Sequence, residues 1–192
     1  MADAKPTSAA TRPSRRPLVL MAVIAVAPVL LSTMVYFFFP RSAATNYGRL
    51  LDVGPAPDIV GTHGDGTPFR LAGLQGKWVL MVAAGGGCDT SCRRELYATR
   101  QARTIQGAEQ ERIVRVWLIA DAETPAPDVL REHPGITTVH VDRAALGRLP
   151  RGGAAIYLID PRGNLVLEYP EDPDIKALAN DLKRLLRASS IG

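Results

Sequence analysis

Cys88 and Cys92 are the only two cysteines in the chain, and they stand four positions apart in Gly85-Gly86-Gly87-Cys88-Asp89-Thr90-Ser91-Cys92-Arg93-Arg94-Glu95-Leu96. The thiolate is the reactive form of cysteine, both as nucleophile and as metal ligand. Two thiols at this spacing can close a disulfide, exchange it with another molecule, or hold a soft metal ion such as copper. On a regular helix, residues four apart have Cα atoms roughly 6 Å apart, at the long end of the disulfide range of about 4.4 to 6.8 Å. Their Cβ bonds run nearly parallel, so closing the bridge requires the first turn to distort, and a strained, readily reduced disulfide is expected. A bridge across so short a loop removes little entropy from the unfolded chain, which favours redox or metal chemistry over a permanent staple. The structural alternative is a pair that is merely buried or permanently bridged. For redox use the two sulfurs must be neighbours and reachable from solvent.

The residues around the pair bear on its reactivity. A helix is expected to start near Cys88, with Asp89, Thr90 and Ser91 supplying capping side chains and Leu96, Ala98, Ala102 and Ile105 on its buried side. The helix N-terminus, Arg93 and Arg94 all favour thiolate at Cys88, while Asp89 opposes it. Gly85-Gly86-Gly87 is expected to give the turn freedom to present the first sulfur and to let another molecule approach the backbone. The glycines are not a phosphate loop, because the Gly-Lys-Ser/Thr ending is missing.

The elements that must hold this turn can be read on either side of it. Trp78 to Ala84 is an apolar run of strand length, of the kind buried on both faces. Ahead of it, Asp58 to Thr62 and Phe69 to Leu71 flank a turn rich in glycine, which predicts a short hairpin. After it come a strand over Ile113 to Ala120, a short helical segment around Val129 to His133, and a strand over Thr137 to Val141. Ala155 to Ile159 and Leu165 to Tyr169 make a hairpin through Asp160-Pro161-Arg162-Gly163-Asn164. A last helix spans about Asp174 to Arg187 with the apolar stripe Ile175, Leu178, Leu182 and Leu185. Strands alternating with helices call for an α/β domain, a central mixed sheet covered by helices, with the reactive turn at the carboxyl end of a central strand.

The N-terminal stretch has a different composition. Leu18 to Phe39 carries no charge over 22 residues, enough at about 1.5 Å per residue to cross a hydrocarbon core of roughly 30 Å. Lys5, Arg12, Arg15 and Arg16 precede it and Tyr36-Phe37-Phe38-Phe39 closes it, which predicts a single-pass anchor with its N-terminus in the cytoplasm. A cleaved signal peptide is the rival reading, with Ser42-Ala43-Ala44 as cleavage site, but its apolar region would run only about 7 to 15 residues. The expected organisation is a basic tail over 1–17, an anchor over 18–39, a linker over 40–57 and an exported domain over 58–192. Four basic residues and Asp3 lie in the first forty positions, leaving 19 Lys and Arg against 18 Asp and Glu in the rest. A nearly neutral, interleaved surface is not a nucleic-acid binder.

From Pro55 onward the chain resembles the thioredoxin-like superfamily, and within it the Sco/SenC group of membrane-anchored cytochrome c oxidase assembly proteins. The residues that carry the resemblance are Gly66-Thr67-Pro68-Phe69-Arg70-Leu71 leading to Gly76-Lys77-Trp78-Val79-Leu80, the Cys88-x-x-x-Cys92 pair, and Tyr157-Leu158-Ile159-Asp160-Pro161-Arg162-Gly163. The resemblance implies a thioredoxin-like domain in the periplasm of a bacterium, held to the inner membrane. It implies copper as cofactor or cargo at Cys88 and Cys92, and a cysteine-containing protein partner such as an oxidase subunit or a copper chaperone. It also implies a distal histidine ligand, and there the chain departs from the pattern: the slot is Gly152. Arg93 replaces the proline that usually follows the second cysteine, and Ala154 occupies the cis-proline slot of thioredoxins. A replacement ligand would have to come from His63, His133 or His140. Three functions follow: a thiol:disulfide oxidoreductase in which Cys88 attacks and Cys92 resolves, a Cu(I) metallochaperone using the same sulfurs, and a non-catalytic assembly scaffold.

Overall fold

The computed structural model describes residues 15–38, 46–153 and 155–189. Most of the expected basic tail, the signal-cleavage site at 42–44, the first part of the expected linker and Ala154 lie outside the described residues. The chain divides into two compact units, Met1–Thr45 and Asn46–Gly192. In the first, α1 (Arg16–Phe38) is a helix of 23 residues with Pro28 inside it. Side chains are described continuously only from Val19 to Met34, and among the described residues no helix is long and apolar enough to cross a membrane.

In the second unit the chain forms β1 (Arg49–Pro55), β2 (Val60–His63), β3 (Pro68–Arg70), β4 (Trp78–Ala83), α2 (Thr90–Thr104), β5 (Ile113–Ile119), α3 (Pro127–Glu132), β6 (Ile136–Val141), α4 (Arg143–Leu146), β7 (Ile156–Ile159), β8 (Asn164–Tyr169) and α5 (Ile175–Ala188). The strands make one sheet in the order β1-β8-β7-β4-β5-β6-β2-β3. β4, β5 and β6 run parallel and the remaining neighbours are antiparallel, so the expected mixed sheet is present.

β4 alternates between two cores, as a strand with period 2 must. Trp78, Leu80 and Val82 face the cluster that includes Leu96 of α2 and Leu178 and Leu182 of α5, whereas Val79 and Met81 face a second cluster with Val116, Leu118 and Tyr157. Burial on both faces is what the unbroken apolar run encodes. Helices α2 and α5 pack together on the first face, which fixes where α2 begins above the end of β4. Asp174 caps α5 by accepting from the N–H groups of Lys176 at 2.8 Å and Ala177 at 3.0 Å. Asp174→Ala is expected to lower the denaturation midpoint by an amount equivalent to about 1 kcal/mol, with the exposed Asn180→Ala as the neutral comparison.

Two expectations need correction. The stretch expected as linker contributes β1, an edge strand paired with β8 through Arg49–Glu168 and Leu50–Leu167, with a register shift before Gly54. Its composition is that of a linker because an edge strand leaves Leu50 and Val53 exposed and carries no apolar alternation. Asp181 of α5, fully buried, accepts from the Gly48 N–H at 2.9 Å and from Arg184 at 2.8 Å, tying the start of this edge to the helix layer. Finally, α2 stops at Thr104, so Ile105, expected on the buried face, is exposed.

Candidate redox site

Cys88 and Cys92 are joined in a disulfide, with S–S 1.97 Å and Cα atoms 5.1 Å apart. The bridge does not lie along one helix. Asp89 is the N-cap, its carboxylate accepting from the Cys92 N–H at 2.9 Å, so Cys92 sits in the first turn of α2 and Cys88 precedes the helix. The expected distortion of a helical turn is therefore replaced by a turn ahead of the cap. In it the Cys88 N–H donates to the Gly85 carbonyl at 3.1 Å and Cys88 takes φ 45°, the left-handed region that non-glycine residues seldom occupy.

The turn is held from the neighbouring strand. The Ala84 N–H donates to the Leu118 carbonyl at 3.0 Å, and the Trp117 indole N–H donates to the Ala84 carbonyl at 3.2 Å. Asp121, just beyond β5, accepts from the Gly86 N–H at 3.0 and 3.2 Å and from the Glu123 N–H at 3.1 Å. The 121–123 loop consequently presses on the glycines: a Cβ at Gly86 would lie 1.9 Å from the Glu123 carbonyl oxygen, and one at Gly87 would lie 2.1 Å from the Glu123 carboxylate. The chain itself takes up the space that was expected to admit another molecule.

The sulfurs are neighbours, but the solvent access expected of a redox pair is cut to a residual edge at the wall of a cleft. Cys88 is 4 % exposed and Cys92 2 %, both part of the core cluster beneath α2. They form part of the wall of an open cleft of about 470 Å³, together with Ala84, Gly87, Ser91 and the acids Asp89, Glu95, Glu123 and Glu171. Arg93 and Arg94, expected to supply positive charge, point elsewhere, pairing with Asp128 at 3.4 Å and Asp172 at 3.7 Å. Glu95, 6 % exposed, is the site residue that sequence reasoning passed over. Burial first, then the nearby charges of Glu171 and Asp89, push its carboxyl up to about 7. Its position three residues after Cys92 in a helix was the available signal, since i and i+3 share a face.

The histidines do not converge on the pair. His63 lies edge-on against Phe69 at 5.4 Å between ring centres, in the β2–β3 hairpin. His140 stands in β6 opposite Ile119 and Thr62. His133 is 2 % exposed at the end of α3, its pKa lowered by burial and by Arg100 and Arg115. Gly152, in the expected ligand slot, takes φ 63°. Among the described residues no group of three or more His, Cys, Asp and Glu is placed to hold a metal ion. Two sulfurs without a nitrogen donor do not fit a resident Cu(II) site.

Residues 78–189 match the family described as transmembrane-like, thioredoxin-like, C-terminal domain. Among solved structures, yeast Sco1 with copper bound is similar at 17 % identity and TM-score 0.61, over 71 % of this chain and 96 % of that one. Apo Sco1 of Thermus thermophilus is 22 % identical at TM-score 0.58, over 77 % and 98 %. BsSco, described as a Sco-family cytochrome c oxidase assembly protein with a disulfide switch, is 14 % identical at TM-score 0.55, over 73 % and 96 %. At these identities the likeness shows the thioredoxin-like fold. A comparison with curated protein sequences returns no match.

Proposed function

The chain belongs to the transmembrane-like, thioredoxin-like C-terminal domain family, and from that premise we propose that it is a membrane-anchored thiol:disulfide oxidoreductase working in the bacterial periplasm through Cys88 and Cys92. The observation that carries the reading is the disulfide at the carboxyl end of β4, ahead of the N-cap of α2 and in the wall of an open cleft. The uncharged stretch Leu18–Phe39 supports the anchor, with the basic residues ahead of it on the cytoplasmic side. The Sco-type neighbours support an oxidase setting, in which the partner is a cysteine-bearing subunit of cytochrome c oxidase or a copper chaperone.

In the working direction the reduced pair is the electron donor. Cys88 as thiolate attacks one sulfur of a partner disulfide, and the other partner sulfur leaves as thiolate and takes up a proton. Cys92 gives up its proton and attacks Cys88 Sγ, displacing the second partner sulfur, which is protonated in turn. The partner disulfide gains two electrons and two protons, and the pair ends in the S–S form; a dithiol donor re-reduces it. The carboxylates around the cleft disfavour thiolate, which poises the pair as a reductant rather than a strong oxidant.

The test uses the full-length chain in detergent micelles. With reduced Cys92→Ser protein and a peptide disulfide, a mixed disulfide is expected to accumulate at Cys88 and be seen by mass spectrometry, and none is expected with Cys88→Ser. Exchange by Cys88→Ser protein at the wild-type rate overturns the reading. Copper delivery is the second reading, favoured by the Sco neighbours. Stoichiometric Cu(I) held against a chelator and lost on changing either cysteine would put it first, and no copper retained under reducing conditions would remove it.

A further inference from the structure

The cleft over the disulfide has an acidic wall. Asp89, Glu95, Glu123 and Glu171 form part of its wall, and no Lys or Arg does among the described residues. The two arginines nearest in sequence to Cys92 pair with Asp128 and Asp172, so that Arg94 acts on Glu95 only at a distance and lines no part of the cleft. Glu95 is more than nine-tenths buried, faces this cleft, and has no hydrogen-bond or ion-pair partner among the described residues. A largely desolvated carboxylate is costly to ionise, so positive charge arriving from outside favours the arrangement.

The carboxylates do not converge on a point, since no three of them are placed to hold a metal ion. They surround the sulfurs, and that spread suits several positive charges separated along a chain. It also repels anionic thiols and acidic segments, which adds discrimination by exclusion. We propose that the cleft receives a polypeptide segment in which Lys or Arg residues flank the reacting cysteine. This rests on the oxidoreductase reading above and adds the class of substrate to it; the exchange step is the balanced one already given.

Three otherwise identical peptide disulfides, with the cysteine flanked by Lys, by Gln or by Glu, separate the two readings when offered to the reduced full-length chain. At an ionic strength of about 0.02 M the Lys probe is expected to react at least tenfold faster than the Glu probe, with Gln between them, and the spread should shrink to about twofold at about 0.5 M salt. Glu171→Lys is expected to narrow the Lys-to-Glu ratio severalfold and Glu171→Gln to narrow it less. Equal low-salt rates for the Lys and Glu probes, or a ratio unmoved by either variant, overturn the cationic-substrate proposal and leave the oxidoreductase reading standing. If none of the three probes reacts, both fall together.

Discussion

Gly86→Ala is expected to cost about 3 kcal/mol of stability, whereas Gly87→Ala, one position along, is expected to cost less than about 1 kcal/mol. Both clash on paper. At Gly86 the new methyl meets the Glu123 carbonyl oxygen at 1.9 Å and its carbon at 2.5 Å, which are backbone atoms that no rotamer change can move. Shifting that backbone also breaks the bonds by which Asp121 holds the Gly86 and Glu123 N–H groups. At Gly87 the obstacle is the Glu123 carboxylate, the far end of a flexible, exposed side chain that can swing into solvent. Denaturation midpoints of the two variants check the prediction, and equal losses would show that the loop yields. Because Cys88 follows directly, Gly86→Ala should also slow closure of the Cys88–Cys92 bridge on reoxidation.

The glycine triplet shows where a sequence stops being informative. Its presence marks a tight turn, but the partner that demands it, the 121–123 loop, lies about 35 residues away, and only the parallel pairing of β4 with β5 brings the two together. The arginines after Cys92 are misleading for a related reason: their reach is visible in the sequence, but Asp128 and Asp172, which draw them away, are not local. Elements with strong internal signals were legible, namely the apolar run of β4, the stripe of α5 and the β7–β8 hairpin. β1 was not, because an edge strand with exposed Leu50 and Val53 has no alternation to read. That any internal disulfide must join Cys88 to Cys92 was legible from the count, but that the bond is formed was not. Its geometry was not, since the helix begins at Thr90 and not at Cys88.

The pH dependence of stability isolates Glu95. In the unfolded chain a glutamate titrates at its ordinary value, and in the folded one burial beside Glu171 and Asp89 pushes Glu95 up to about 7. Between those values the folded state holds more protons than the unfolded one, so this group's contribution is fully favourable below the unfolded value and is lost as pH rises to about 7. Solvent reaching the carboxylate from the cleft screens part of this, which leaves a loss of roughly 1–2 kcal/mol at pH 8. Glu95→Gln keeps the shape and cannot ionise. The variant is expected to match wild type near pH 4 and to exceed it by roughly 1–2 kcal/mol at pH 8. Taking the difference between the two proteins at each pH cancels the titration of His133 and every other group that the substitution leaves alone. A difference that stays flat from pH 4 to 8 would mean that Glu95 is solvated in the folded protein, with hydration already giving its ionised form the stabilisation sought from the substrate. If the difference instead rises as expected, ionised Glu95 is destabilised by the empty cleft, and flanking Lys or Arg residues on an incoming segment have that energy to recover on binding.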